Sequence, residues 1–222
     1  RVLFRSVTYP TKNDAALLDS ENHIAYVNGY NDGTVRPEAK ITRAEAATMF
    51  YRLLNEDVKA EYETDENEFS DVSEADWYCT AVSTLANIGI FGGYPDGSFR
   101  PDAYITRAEF AAICARIDGE DADETAEYSD IDGHWAADEI SRVAELGWVK
   151  GYTDGTFRPN QQITRAEAMA VINRITERNP ETKADLLDSM KTWVDNTEDK
   201  WYYIDVQEAT VAHDYERKDN GR

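Results

Sequence analysis

Apolar residues in this chain fall in short runs at helical spacing, separated by polar, turn-rich stretches. Ala46, Ala47, Phe50, Leu53 and Leu54 form one stripe. Val82, Leu85, Ala86 and Ile88 form a second, and Ile140, Val143, Ala144 and Leu146 a third. These stripes predict a helix over residues 43–54, one that opens at Trp77 and stops at Gly89, and one that opens at Trp135. Helix-start signals predict two more, beginning at Arg107 and Arg165, the latter ending near Arg174. The fold class is therefore mainly α.

The helix starts share one sequence. Ile-Thr-Arg-Ala-Glu occurs at residues 41–45, 105–109 and 163–167, each time at the same distance after a second motif: GYNDGTVRP at 29–37, GYPDGSFRP at 93–101 and GYTDGTFRP at 151–159. Two motifs at fixed spacing, three times over, define an internal repeat. Thr42, Thr106 and Thr164 suit the N-cap, and Glu45, Glu109 and Glu167 complete a capping box. Ile41, Ile105 and Ile163 sit where a hydrophobic staple belongs. Helix-start chemistry does not account for Arg43, Arg107 and Arg165, whose charge faces the positive end of the helix dipole. Two roles stay open for them: pairing with an acidic neighbour, or gripping an anionic ligand through parallel hydrogen bonds.

The repeats divide the chain. Residues 1–22 are a lead-in or linker in which only 15–18 suit a helical turn. Residues 23–55 are the second half of a first module. Complete modules span 69–117, opened by Phe69-Ser70-Asp71, and 128–176, opened by Tyr128-Ser129-Asp130. Residues 55–68 and 118–127 read as polar linkers, the first of them mobile. In the second turn Pro95, Asp96 and Gly97 suit a tight reversal, with a small hairpin on its flanks. The pairs Asp32-Gly33, Asp96-Gly97 and Asp154-Gly155 are primarily turn formers. Trp193, Asp195 and Trp201 repeat the offsets of Phe69, Asp71 and Trp77, so residues 193–213 are the first half of a module without its second. A helix from Trp201 to about residue 212 is expected to pack against the Arg43 helix and complete lobe one; an array cut at both ends is the alternative.

Charge narrows the partners. The 222 residues carry 23 Lys plus Arg against 44 Asp plus Glu, a formal charge of -21. A basic surface for nucleic acid or anionic membrane is missing, and no apolar run is long enough to insert across a bilayer. The chain begins at Arg1 rather than Met, as a mature or excised fragment would. Cys79 and Cys114 lie at helix ends that an antiparallel pair would bring within disulfide reach, but two small buried thiols are the preferred reading. His23, His134 and His213 form no motif, and no Cys or His partner lies at ligand spacing, so neither metal nor cofactor is expected. Asp130, Asp132 and Gly133 approach a calcium loop, but the ligand order and closing Glu are wrong, and they read as a turn. No nucleophile elbow or phosphate loop occurs. Three equivalent motifs suit repeated binding better than one catalytic centre, so the chain is not read as an enzyme.

By its aromatic-x-Asp opening, its Trp at the first helix, its Gly-Tyr-x-Asp-Gly turn and its Ile-Thr-Arg-Ala-Glu helix start, the chain resembles the S-layer homology (SLH) domain over roughly residues 24–213. The resemblance implies three tandem helical modules with pseudo-three-fold symmetry and ligand grooves between them. It implies an extracellular place in the cell wall or S-layer, and non-covalent anchoring through a secondary cell-wall polysaccharide that ends in pyruvylated N-acetylmannosamine. Self-association or contact with other surface-layer proteins is a further class of partner. Arg43, Arg107 and Arg165 match the family position whose Arg contributes to binding. Trp77, Trp135, Trp201, Tyr30, Tyr94 and Tyr152 are candidates to stack on sugar, with core or turn packing as their other reading. Val35 replaces the Phe99 and Phe157 of the other repeats, so its groove is expected to differ. The rival function is a structural or protein-binding module whose arginines serve internal salt bridges.

Overall fold

A computed structural model describes residues 17–178 and 180–214. Its helices are α1 (Arg43–Arg52), α2 (Glu56–Tyr62), α3 (Cys79–Ile88), α4 (Arg107–Asp118), α5 (Ala137–Glu145), α6 (Arg165–Ile175) and α7 (Tyr203–Thr210), with a 3-10 turn at Lys183–Asp185. The expected capping boxes are present at α1, α4 and α6. The other repeat helices, α3, α5 and α7, begin two residues after Trp77, Trp135 and Trp201, without a side-chain cap. Gly89 ends α3 in the left-handed conformation, as expected.

The linker over 55–68 is more ordered than its polarity suggests. It contains α2, which turns Val58 and Tyr62 onto the core. Its exit is pinned by Asn87 Nδ2 donating to Tyr62 O (3.0 Å) and Thr64 N–H donating to Thr84 Oγ1 (3.2 Å). Of the expected turn over 15–18, residues 15 and 16 lie outside the described residues. Leu18 is buried and bridges to Leu54.

The three capped helix starts meet at the centre. A helix leaves its first N–H groups without internal acceptors, and here another repeat supplies them. Arg43 and Ala44 N–H donate to Ala103 and Pro101 O (2.9 and 3.0 Å), Arg107 and Ala108 to Gln161 and Pro159 O (2.8 and 2.9 Å), and Arg165 and Ala166 to Ala39 and Pro37 O (2.9 and 2.8 Å). Two residues before each Arg, Ile105 N–H donates to Ile41 O, Ile163 to Ile105 O and Ile41 to Ile163 O, at 3.1, 3.1 and 3.3 Å. The cycle closes on itself, with all three isoleucines buried.

Around this centre α3 packs on α1, α5 on α4 and α7 on α6. The main helical partner of α7 is therefore α6, not the Arg43 helix. The reason is a constant hand-over, in which the first helix of each repeat lies on the second helix of the repeat before it. Lobe one is instead completed by the segment leading into α7. Asp195 accepts from Val35 and Arg36 N–H (2.9 and 2.7 Å). Asp71 does the same for Phe99 and Arg100 (2.7 and 2.8 Å), and Asp130 for Phe157 and Arg158 (both 2.8 Å). Trp193 lies on Gly29 so closely that a Cβ there would sit 2.0 Å from its ring; Phe69 covers Gly93 and Tyr128 covers Gly151 in the same way.

The carboxylate pairs also replace the expected hairpin. Among the described residues only isolated bridges occur, because the N–H groups of Phe99 and Arg100 are spent on Asp71. Arg36, Arg100 and Arg158 take φ of 55°, 59° and 58°, a left-handed conformation unusual for Arg and held by those bonds. Residues 129–130 and 132–133 form turns, with Gly133 at φ 67°, and Asp130 reaches across to the turn of residues 157–158. Cys79 and Cys114 are buried and not bonded to each other, and burial pushes the Cys114 thiol well above its usual range.

Asp195→Ala removes the acceptor of two backbone donors on the one turn that the other end of the chain completes. It is expected to cost about 2–3 kcal/mol in chemical denaturation. Amide exchange should speed at Val35 and Arg36 and stay slow at Phe99 and Phe157.

Candidate functional site

Two grooves are built alike, each from three segments: a motif Arg from one repeat, the Gly-Tyr turn and capped helix of the next, and the Trp that opens the following helix. The groove at Arg107 has a cavity of about 170 Å³ bordered by Lys150, Tyr152, Glu167, Arg174 and Trp201. The groove at Arg43 is bordered by Tyr94, Glu109, Arg116 and Trp135 and holds only about 20 Å³. Phe91 and Ile113 line the smaller one where Val149 and Val171 line the larger, and the added side-chain volume narrows it.

The motif arginines are buried. Arg107 Nε donates to Phe157 O (2.8 Å), Nη2 to Lys150 O (3.0 Å) and Nη1 to Glu167 Oε1 (3.3 Å). Arg43 Nε donates to Phe99 O (2.8 Å) and Nη2 to Gly92 O (2.7 Å), with Glu109 3.8 Å from Nη1. Arg165 Nε donates to Val35 O (3.0 Å) and Nη1 to Glu45 Oε1 (3.1 Å). The paired Glu in each case is the capping-box residue of another repeat, so the capping reading described only half of its role. A guanidinium carries five N–H donors. The bonds above occupy three on Arg107, leaving one each on Nη1 and Nη2 for a ligand; pairing and ligand binding are compatible. Burial lowers the Arg43 pKa, opposed by Tyr94 and Glu109.

The aromatic candidates separate into two groups. Trp77, Trp135 and Trp201 are 67%, 46% and 64% exposed, which excludes core packing for them. Trp135 and Trp201 stand at the mouths of the Arg43 and Arg107 grooves, and Trp77 precedes α3. The tyrosines are half-buried and already engaged. Tyr94 and Tyr152 donate to Glu109 (2.9 Å) and Glu167 (3.3 Å). Arg100 and Arg158 lie 3.9 and 3.8 Å from the centres of the Tyr94 and Tyr152 rings, and Arg36 lies 3.8 Å from that of Tyr30. Burial, the largest influence, raises the Tyr94 pKa. In the turns, hydrogen bonds from Thr34 and Thr156, then from the neighbouring arginines, bring Asp32 and Asp154 down to about 2. Repeat one differs as expected: Arg43 and Arg107 each face a Phe ring at 4.7 and 4.5 Å, whereas Arg165 faces Tyr30 at 5.5 Å with Val35 in the Phe position.

Sequence reasoning missed Lys150, Arg116 and Arg174. The two arginines had a signal, since Arg52, Arg116 and Arg174 follow the motif Arg at one offset. Their Nη1 atoms donate to Tyr26, Ile90 and Trp148 O at 3.0, 3.1 and 2.9 Å.

A family model described as the S-layer homology domain matches residues 25–47, 68–111 and 127–169. The chain is 38% identical over 207 residues to a cellulosome-anchoring protein of Acetivibrio thermocellus, covering 90% of this chain and 45% of that protein. It is 36% identical over 162 residues to an amylopullulanase of Thermoanaerobacterium thermosulfurigenes, covering 69% of this chain and 8% of the relative. It is 29% identical over 164 residues to an S-layer protein of Bacillus licheniformis, covering 69% and 18%. The chain thus spans less than half the length of each of these relatives.

Because its guanidinium joins two carbonyls and a carboxylate of another repeat, Arg107→Ala is expected to lower stability by about 2–3 kcal/mol in a denaturant series. Arg107→Lys should recover little of it, since one ammonium cannot reproduce the fork.

Proposed function

Since the chain belongs to the S-layer homology domain family, we propose that it anchors a larger protein non-covalently to the bacterial cell wall. The ligand is a secondary cell-wall polysaccharide whose pyruvylated N-acetylmannosamine end enters the grooves between repeats. The carrying observation is the cavity at Arg107: Arg107, Lys150 and Arg174 gather around it in a chain whose formal charge is -21. Local preorganised cations, not net charge, decide anion binding. A ketal carboxylate meets the two remaining Arg107 N–H groups, and the sugar ring lies against exposed Trp201. The protein acts outside the cell, at the wall, and the groove carboxylate Glu167 serves to hold Arg107 and Tyr152 rather than to catalyse. The similarity to a cellulosome-anchoring protein and to S-layer protein supports this reading, as does the amylopullulanase, whose shared region is a small part of its length.

A structural or protein-binding role is the second reading, favoured by the bonds each motif Arg already makes to another repeat. Calorimetry separates the two. Pyruvylated N-acetylmannosamine is expected to bind, and the same sugar without the ketal is not; failure of both would favour the second reading. Trp201→Ala should weaken binding about tenfold, as loss of roughly 1.4 kcal/mol of stacking implies, with an unchanged melting temperature.

A further inference from the structure

Away from the grooves, at the seam between the two ends of the described chain, three side chains converge. His23 Nδ1 lies 2.7 Å from Glu208 Oε1 and 3.2 Å from His213 Nε2, and His213 Nε2 lies 3.3 Å from Glu208 Oε2. One ligand atom from each residue falls within 4.8 Å of the others. Glu208 is 1% exposed, and neither carboxylate oxygen receives a well-directed hydrogen bond despite the nearby ring nitrogens. A buried carboxylate left in that state is costly unless a cation compensates it.

The second coordination layer is also in place. His213 Nδ1 donates to Val211 O (2.9 Å), which leaves Nε2 as the nitrogen turned towards Glu208 and His23. The rings stand at 87°, so the two nitrogens approach from different directions. The backbones are held in register beneath them: His213 N–H donates to His23 O (3.1 Å), and Tyr26 and Val27 N–H donate to Ala209 O (3.1 and 3.0 Å).

We propose that His23, Glu208 and His213 form a divalent transition-metal site, of the zinc class, that staples the start of repeat one to the end of α7. Two imidazole nitrogens and one carboxylate oxygen are a common zinc donor set, with water as the fourth ligand. Calcium and magnesium, which take all-oxygen shells, do not fit it. The metal sits where the ring of repeats is closed by non-covalent contacts alone, and it stabilises that closure by binding only the folded seam.

The test uses the tag-free full chain, freed of metal by chelation and titrated with zinc chloride in a calorimeter. One ion per chain is expected, with a rise in melting temperature. Cobalt(II) in place of zinc should give the intense visible bands of a low-coordinate site. Glu208→Gln, which keeps the side-chain size, and His213→Gln should each lower zinc affinity by at least about tenfold. His134→Gln, at a histidine beside Trp135 and outside the cluster, should leave it unchanged. If His213→Gln does not fold, the cobalt spectra of the wild-type chain and of Glu208→Gln decide the matter. No zinc binding at micromolar concentration, or binding that survives both substitutions, overturns the proposal and leaves a buried His–Glu–His hydrogen-bonded cluster.

Discussion

The N–H groups at the start of a helix have no partner within that helix, and this protein is arranged around meeting that need from outside. A capping box satisfies part of the first turn of α1, α4 and α6. The remaining donors reach carbonyls of another repeat, and the three isoleucine backbones bond in a closed cycle. No repeat is complete alone, because each leaves donors that only its neighbour can meet. The hand-over of α3 to α1, α5 to α4 and α7 to α6 follows the same order.

The motif arginines extend this dependence into the grooves. Each takes carbonyl and carboxylate partners from a different repeat, so the groove walls are set by the same contacts that join the repeats. Groove wall and scaffold are therefore not separable at these residues. Trp135 and Trp201 are separable, since they lie at the groove rims and are largely exposed. The turn arginines in left-handed conformation show a similar economy: Asp71, Asp130 and Asp195 offset the strain and shape the turn that carries the groove tyrosine.

Equivalence of the motifs does not make the grooves equal. All three motifs keep the Arg, but Phe91 and Ile113 narrow one groove that Val149 and Val171 leave open, and beside Arg165 Val35 takes the place of a ring. A metal at the seam would add a further asymmetry, since its ligands come from the start of repeat one and from the half repeat at the other end of the described chain.

By itself the sequence determined what acts over a few residues. The helix starts, the capping boxes and the Asp-Gly turns were legible because their partners lie within a turn or two of the chain. Repetition extended that reach: Trp193 and Asp195 share the offsets of Phe69 and Asp71 and make the equivalent contacts, on Gly29, Val35 and Arg36. Only the tertiary structure decided the rest. Whether a motif Arg meets a carbonyl, a carboxylate or a ligand depends on another repeat. The exposure of Trp201 depends on where α7 lands, and the linker over 55–68 became ordered because Val58 and Tyr62 found the core. His23 and His213 are 190 residues apart and share no motif. Their meeting follows from ring closure, which local spacing does not encode, because it is fixed by the summed packing and hydrogen bonding of every repeat between them.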